Sequence, residues 1–328
     1  MRVLVAGGAG FLGSNLVRAL AEQGREVTII DNLGTGRRRN LEDLLEHGAV
    51  MLVEADLAEP LPDAVARIRF DRVYHLASPA SPVGYGRRPI ATLLVNSVGT
   101  RNLLELAAAC GARFLLASTS EAYGDPLVHP QPETYWGNVN PVGPRSCYDE
   151  GKRFAESLTV NYGWSRGVDV RIARIFNTYG PGSDVDDGRL VPNFCVQALR
   201  GERLTIYGDG SQTRSLCYVD DLIEGLQRLM ECHEVRGEVV NLGSTEELRV
   251  GEIAERILHI VGRGLGVEYR PLPADDPVQR RPDIAKAERI LGWAPGTGLD
   301  EGLGRTVDYF RRELAALQAG AVGTLDAV

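Results

Sequence analysis

Arg2-Val-Leu-Val-Ala6-Gly7-Gly8-Ala9-Gly10-Phe11-Leu12-Gly13 opens the chain: a short apolar β-run, a glycine-rich turn, and then helix-period residues through Ala19, Leu20 and Gln23. Glycines permit a tight turn and close backbone approach, and the helix N-terminus behind them offers unpaired N–H groups to a pyrophosphate. Glycine triplets also occur in plain connecting turns, so context has to decide. Glu26-Val-Thr-Ile-Ile30 reads as a second strand, and Asp31, beside Asn32, ends it 18 residues after Gly13. That is where an acid grips the adenosine ribose diol of a dinucleotide. Gly7, Gly10, Phe11, Leu12, Gly13, Asp31 and Asn32 are therefore expected around a cofactor. A carboxylate at Asp31 repels a 2′-phosphate and favours NAD over NADP, while Arg37, Arg38 and Arg39 nearby work the other way.

The alternation continues outward. Val50-Met-Leu-Val-Glu54 is a third strand with Asp56 and Leu57 beyond its end, placed to frame an adenine. Asp71–Leu76 is a fourth, and Leu76, Ala77 and Ser78 then face the same crevice. A helix over Ala91–Ala109, a strand Arg113–Ala117, a helix Tyr148–Tyr162 and a strand Val168–Ile175 follow. Strands alternating with helices predict an α/β fold, a doubly wound parallel Rossmann sheet that binds its ligands beyond the carboxyl ends of the strands. After Asn177 the texture turns to Pro-, Gly- and Asp-rich loops. Residues 1–176 are accordingly read as an NAD-binding domain and 177–328 mainly as a smaller α/β substrate-binding cap, with helices near Asn193–Arg200, Val250–Val261 and Asp283–Leu291. At about 215–243 the chain is expected to return to the first domain, through a helix Tyr218–Met230 and a strand Glu238–Gly243. The Ala/Gly-rich tail from Ala315 is expected to fray.

Composition narrows the functional classes. With 44% hydrophobic and 24% charged residues in 328, the chain is an ordinary globular one. A net charge of -8 argues against general affinity for nucleic acid or an anionic membrane. No apolar run approaches the ~18 residues that span a bilayer, and the chain opens on a strand instead of a signal sequence, so a cytoplasmic protein is expected. Five scattered cysteines show neither a disulfide framework nor metal-ligand spacing, and no metal is expected.

Reactive groups concentrate in Gly143-Pro-Arg-Ser-Cys-Tyr148-Asp-Glu-Gly-Lys152. Positions i and i+4 share a helix face, so the Lys152 ammonium is expected to lie near the Tyr148 oxygen, lower its pKa from about 10 and make it a general base. The chain otherwise relies on Arg, and its only lysines are Lys152 and Lys286. Ser118-Thr119-Ser120-Glu121 follows the fifth strand and lines the ligand edge with hydroxyls and one carboxylate. Ser118 is expected at the cofactor. Thr119 or Ser120 can bond a substrate hydroxyl that Tyr148 deprotonates, while Lys152 bonds a nicotinamide ribose. The set describes hydride transfer between an alcohol and a ketone.

The Gly7-x-x-Gly10-x-x-Gly13 turn with Tyr148-x-x-x-Lys152 resembles the extended short-chain dehydrogenase/reductase family. Leu76-Ala-Ser-Pro-Ala-Ser-Pro82, Leu116–Glu121, His129-Pro-Gln131, Tyr135-Trp-Gly-Asn-Val-Asn140 and Arg174–Gly180 further resemble its UDP-glucuronate decarboxylases, from Met1 to about Phe310. The resemblance implies oxidation of the sugar at C4, loss of CO2 from the resulting β-keto acid, and re-reduction by the same NADH to UDP-xylose. In that pattern Tyr148 is the C4 base. Glu121 with Thr119 and Ser120 positions the ring and manages protons near C5, and Tyr85 touches the substrate. Asn177, Asn193, Tyr207, Gln212 and Arg214 surround the UDP, with Arg214 at the diphosphate, and Arg280 in preference to Arg281 approaches the sugar. Arg87 and Arg88, like Arg37 to Arg39, stay with the reading of solvated surface charge. A homodimer through the Ala91 and Tyr148 helices is also implied.

Departures from the pattern are Gly182, where the family usually has Arg, the acidic run Asp184-Val-Asp-Asp187, Leu216-Cys217, and Asn15 in place of a common His. Other C4-oxidising chemistries remain as alternatives: a UDP-hexuronate or UDP-hexose 4-epimerase, or a nucleoside-diphosphoglucose 4,6-dehydratase, which Ser120 opposes because an Asp is expected there. A catalytically silent NAD-sensing module would have no need of Tyr148, Lys152 and Glu121 together.

Overall fold

The computed structural model describes residues 1–272 and 279–323, without the side chains of residues 320–323. Seven strands, β1 (Arg2–Ala6), β2 (Glu26–Asp31), β3 (Val50–Glu54), β4 (Arg72–His75), β5 (Arg113–Thr119), β6 (Asp169–Ile175) and β7 (Val239–Leu242), form one parallel sheet in the order β7-β6-β5-β4-β1-β2-β3. The chain runs outward from β1 to β3 and then crosses back to β4, so the crevice between β1 and β4 is the switch point. Strand residues alternate between two cores, as a period of two requires. Val3, Val5 and Ile29 join a cluster that continues through Phe194, Ile253 and Phe310, while Leu4, Ala6, Ile30 and Phe114 pack on the other face. Burial on both faces is why these strands read as unbroken apolar runs.

The helices used below are α1 (Phe11–Glu22), α2 (Thr100–Cys110), α3 (Ser146–Arg166), α4 (Leu190–Arg200), α5 (Val219–Glu231) and α6 (Leu299–Gly323). The late strand β7 lies against β6, from Val239↔Ile172 to Leu242↔Ile175. Helix α5 is tied to the same edge by the buried Arg171, whose Nη1 donates to Met230 O at 2.7 Å and whose Nη2 donates to Asp169 Oδ1 at 2.8 Å. Short strand pairs lie outside the main sheet: Leu204–Tyr207 with Val267–Arg270, and Thr213–Ser215 with Glu247–Arg249.

Two local expectations change. The helix expected over Ala91–Ala109 is an α-turn Pro89–Leu94, a π-turn Val95–Gly99 and α2. The fully buried Asn96 sits in the π-turn and donates to Thr92 O at 2.8 Å and Ser78 Oγ at 2.9 Å, a side-chain placement that the extra residue accommodates. The tail from Ala315 does not fray at that point, because α6, anchored by buried Leu303, Val307 and Phe310, continues to Gly323. Residues 324–328 lie outside the described residues. No helix among the described residues is long and apolar enough to cross a membrane.

Candidate active site

The turn from β1 into α1 needs its glycines. Gly7 has φ +80°, and a methyl group on it would lie 2.6 Å from Ala77 N; on Gly13 it would lie 2.0 Å from Gly7 O. Bare backbone therefore presses against the end of β4, and Gly10, the residue before α1, gives that helix no side-chain cap. Gly7, Gly10, Phe11, Leu12 and Gly13 line a cavity of about 130 Å³. A neighbouring cavity of about 90 Å³ is lined by Asp31, Asn32, Asp56, Leu57, Leu76, Ala77 and Ser78. Leu76 and Ser78 also border a third cavity, of about 380 Å³, so the three join at the switch point. A backbone cradle that any Cβ would fill, with an uncapped helix N-terminus beside it, fits a dinucleotide pyrophosphate.

Asp31 has structural duties as well. Its Oδ2 accepts from Ala9 N at 2.9 Å and its Oδ1 from Leu33 N at 2.8 Å, so it ties the glycine turn to β2. Burial nonetheless pushes its pKa up. Asn32 donates to Asp56 Oδ2 at 3.0 Å, joining the ends of β2 and β3. Arg37 pairs with Asp184, and Arg39 with Glu313 at 2.9 Å, so two of the three cations that counted against NAD are engaged by carboxylates. Arg37 and Arg39 are exposed, as the reading of solvated surface charge expects, and they also border the glycine cavity, while the exposed Arg88 borders the adjoining one.

Tyr148, Lys152, Thr119, Ser120, Glu121 and Ser118 all reach the 380 Å³ cavity, from β5, the turn after it and α3. The expected electrostatics of Tyr148 and Lys152 differ from what is found. Burial pushes the Tyr148 phenol up to about 12, although a hydrogen bond with Thr119 works against it. Burial also pushes the Lys152 ammonium down to about 7. The two share a face, with Lys152 Nζ 5.9 Å from the Tyr148 ring centre, but Nζ donates to Ala117 O at 2.8 Å instead of facing the phenol oxygen as a fixed cation. Desolvation outweighs the i, i+4 attraction. Ser118 is also committed, donating to Glu156 Oε1 at 2.5 Å, and Glu156 is held in turn by Arg174.

A carboxylate, Glu121, lines this cavity. Arg280 grips it with two bonds, Nη1 to Oε1 at 2.6 Å and Nη2 to Oε2 at 3.0 Å, and Arg145 Nη2 lies 2.7 Å from Oε1. Burial alone would raise its pKa, but Arg280, Arg145 and Arg214 together hold it down at about 2. Arg281 turns away and donates its N–H to Gln131 Oε1 at 2.9 Å. Arg145 was missed as a site residue, though it stands three residues before Tyr148, which on a helix is one turn away.

Asn177, Asn193, Tyr207, Gln212, Arg214 and Arg280 line the far side of the same cavity. Asn193 is anchored by Nδ2 to Gly188 O at 3.1 Å, and Arg214 donates to Thr213 O at 2.8 Å. Tyr85 is placed differently from expectation: its ring stacks on Tyr148 with centres 5.1 Å apart, and its buried hydroxyl has no partner. It backs the reactive phenol instead of lining the cavity. Arg189 was also missed. Asp187 clamps it with two 2.6 Å bonds, its guanidinium lies over the Phe11 ring at 5.7 Å, and it borders both the glycine cavity and the large one. Among the described residues no group of three or more His, Cys, Asp or Glu could hold a metal ion.

Known proteins are similar to this chain. Over 313 residues the chain is 52% identical to UDP-glucuronic acid decarboxylase 1 of Xenopus tropicalis, covering 95% of this chain and 73% of that one. It is 50% identical over 315 residues to UDP-glucuronic acid decarboxylase 3 of Arabidopsis thaliana, covering 96% and 90%. Among solved structures, UDP-glucose 4-epimerase of Thermotoga maritima, determined with UDP-glucose, superposes with a TM-score of 0.87 at 33% identity, covering 96% of this chain and 100% of that one. UDP-glucuronic acid 4-epimerase of Bacillus cereus, determined with UDP-glucuronic acid and NAD, gives 0.85 at 28% identity, covering 95% and 99%. The model of the NAD dependent epimerase/dehydratase family matches residues 3–243, and this chain belongs to that family.

Proposed function

We propose that the protein is an NAD-dependent UDP-glucuronate decarboxylase that forms UDP-xylose. The observation that carries the reading is Glu121, gripped by Arg280 and Arg145 in the cavity that Tyr148 and Lys152 share, in a chain half identical to decarboxylases along nearly its whole length. Oxidation at C4 places a ketone β to the C5 carboxylate, so the C–C bond can break with its electrons delocalised into an enolate and CO2 released. Protonation at C5 and return of the hydride to C4 complete a redox-neutral cycle. Bound NAD would supply the hydride acceptor.

Within this reading the chain's own groups divide the work. Tyr148 takes the C4 hydroxyl proton, with Thr119 or Ser120 bonded to the substrate oxygen and Lys152 on the cofactor ribose. Arg280 and Arg145 offer planar donor forks to the sugar carboxylate while keeping Glu121 ionised beside C5. Asn177, Asn193, Tyr207, Gln212 and Arg214 receive the nucleotide. Residues 1–176, rejoined at about 215–243, act as the cofactor half and the remainder mainly as the sugar-nucleotide half. The assembly is a cytoplasmic homodimer, a reading supported by exposed Ile90, Leu93 and Leu94 on a helix that packs against α3, which itself exposes Phe154.

The test is to incubate purified protein with UDP-glucuronate and trace NAD and to follow CO2 and the nucleotide sugar. UDP-xylose and CO2 in equal amounts are expected. UDP-galacturonate without CO2 would instead establish 4-epimerisation, the chemistry named for the solved neighbours.

A further inference from the structure

Residues 181–188, where the chain carries Gly182 and an acidic run, cross over the glycine cavity and are fastened to three separate elements. Asn15 Nδ2 of α1 donates to Pro181 O at 3.0 Å. Tyr309 of α6 donates its hydroxyl to Ser183 O at 3.2 Å. Asp184 pairs with Arg37, which follows β2 and donates its backbone N–H to Ala9 O at 3.0 Å. Arg39, two residues on, reaches α6 through Glu313. Gly182, Ser183 and Asp184 thus form one wall of the cavity of about 130 Å³ whose other wall is Gly7, Gly10 and Gly13.

We propose that residues 181–188 form a strap that slows dinucleotide exchange, with the Arg37–Asp184 pair as its latch, so that Asp184 is a positioning residue acting through Arg37. The inference rests on the NAD reading given above. A pyrophosphate seated on the α1 N-terminus lies beneath the segment and leaves only when the strap lifts. A cycle that oxidises and re-reduces one sugar with one cofactor needs such retention, since exchange between the two hydride transfers would strand a ketone. The latch is half-exposed, with Arg37 44% and Asp184 21% accessible, so it is weak by itself and sensitive to salt. Gly182 suits the role: its φ of +92° and a would-be Cβ 2.9 Å from Asn15 Nδ2 allow the segment to lie flat on α1.

The competing possibility is that Arg37 is first a phosphate ligand that Asp184 restrains. The two differ in sign. NADH bound to the full-length protein is displaced by excess NAD, and its fluorescence loss is followed by stopped flow at low and high salt. With a strap, Asp184→Asn and Arg37→Gln each release NADH about fivefold faster, the scale of one such pair, and the double variant is no faster than either. Arg37→Gln matters because Asp184 Oδ1 also accepts from Asp186 N at 3.0 Å, a bond that this variant leaves intact. Salt accelerates release from the wild type and not from the variants. Asp186→Asn, which removes the same charge from the same loop and acts on Arg37 only at longer range, accelerates release less than Asp184→Asn does. Unchanged or slower release in Asp184→Asn, or equal acceleration in Asp186→Asn, overturns the strap. Failure of the wild type to bind NADH overturns the cofactor reading instead.

Discussion

At Tyr148 and Lys152 desolvation and attraction compete, and burial wins, driving both groups toward their neutral forms. The consequence for stability has a definite sign. Lys152 falls from an ordinary 10.5 to about 7, so between those values the unfolded chain binds more protons than the folded one. Stability of the cofactor-free protein therefore rises with pH from about 7 to about 10, and Lys152→Met removes that rise; denaturant titrations across the range check both. For chemistry, Tyr148→Phe is expected to lower turnover by about 10²–10⁴ while NADH affinity stays within about twofold, because the lost oxygen serves proton transfer and not cofactor binding. Retained turnover would mean that another group is the base. Glu121 makes a complementary point. Its chemistry was legible as a carboxylate at a strand end, but its partner Arg280 lies 159 residues away, and only folding brings them to 2.6 Å.

The β1 turn into α1 carries its instructions locally. Gly13 has no room for a methyl group against Gly7 O, so Gly13→Ala is expected to displace the turn, costing about 1–3 kcal/mol of overpacking and weakening NADH binding about tenfold or more. Calorimetry with NADH and thermal melting of the same variant separate these effects. Strand positions and the sheet-forming alternation were equally legible, since apolar runs bounded by glycine and polar residues describe buried parallel strands. The Pro89–Cys110 segment was legible only as a helix. Its π-turn at Val95–Gly99 accompanies Asn96 reaching Ser78, a contact between segments that no helical periodicity encodes. Similarly, the small residues after Ala315 suggested fraying, while buried Leu303, Val307 and Phe310 upstream hold α6 in place and the helix continues.

For the whole molecule, exposed apolar side chains on packed neighbouring helices are the basis of the dimer prediction. Phe154→Glu is expected to weaken association by about 30-fold or more, the scale of a buried aromatic anchor, and sedimentation equilibrium reads the outcome directly. A wild-type monomer at micromolar concentration would rule the dimer out. By itself the sequence determined the alternation of strands and helices, the glycine cradle and the Tyr148/Lys152 pair, because each depends on residues within a turn or a strand of one another. Tertiary structure alone decided which charges meet. It set Arg145 and Arg280 on Glu121, Arg37 on Asp184, and Tyr85 behind Tyr148, and it reversed the expected pKa of the phenol. The physical reason is common to all of them: Coulomb and desolvation energies depend on distance and burial in space, and neither can be computed from separation along the chain.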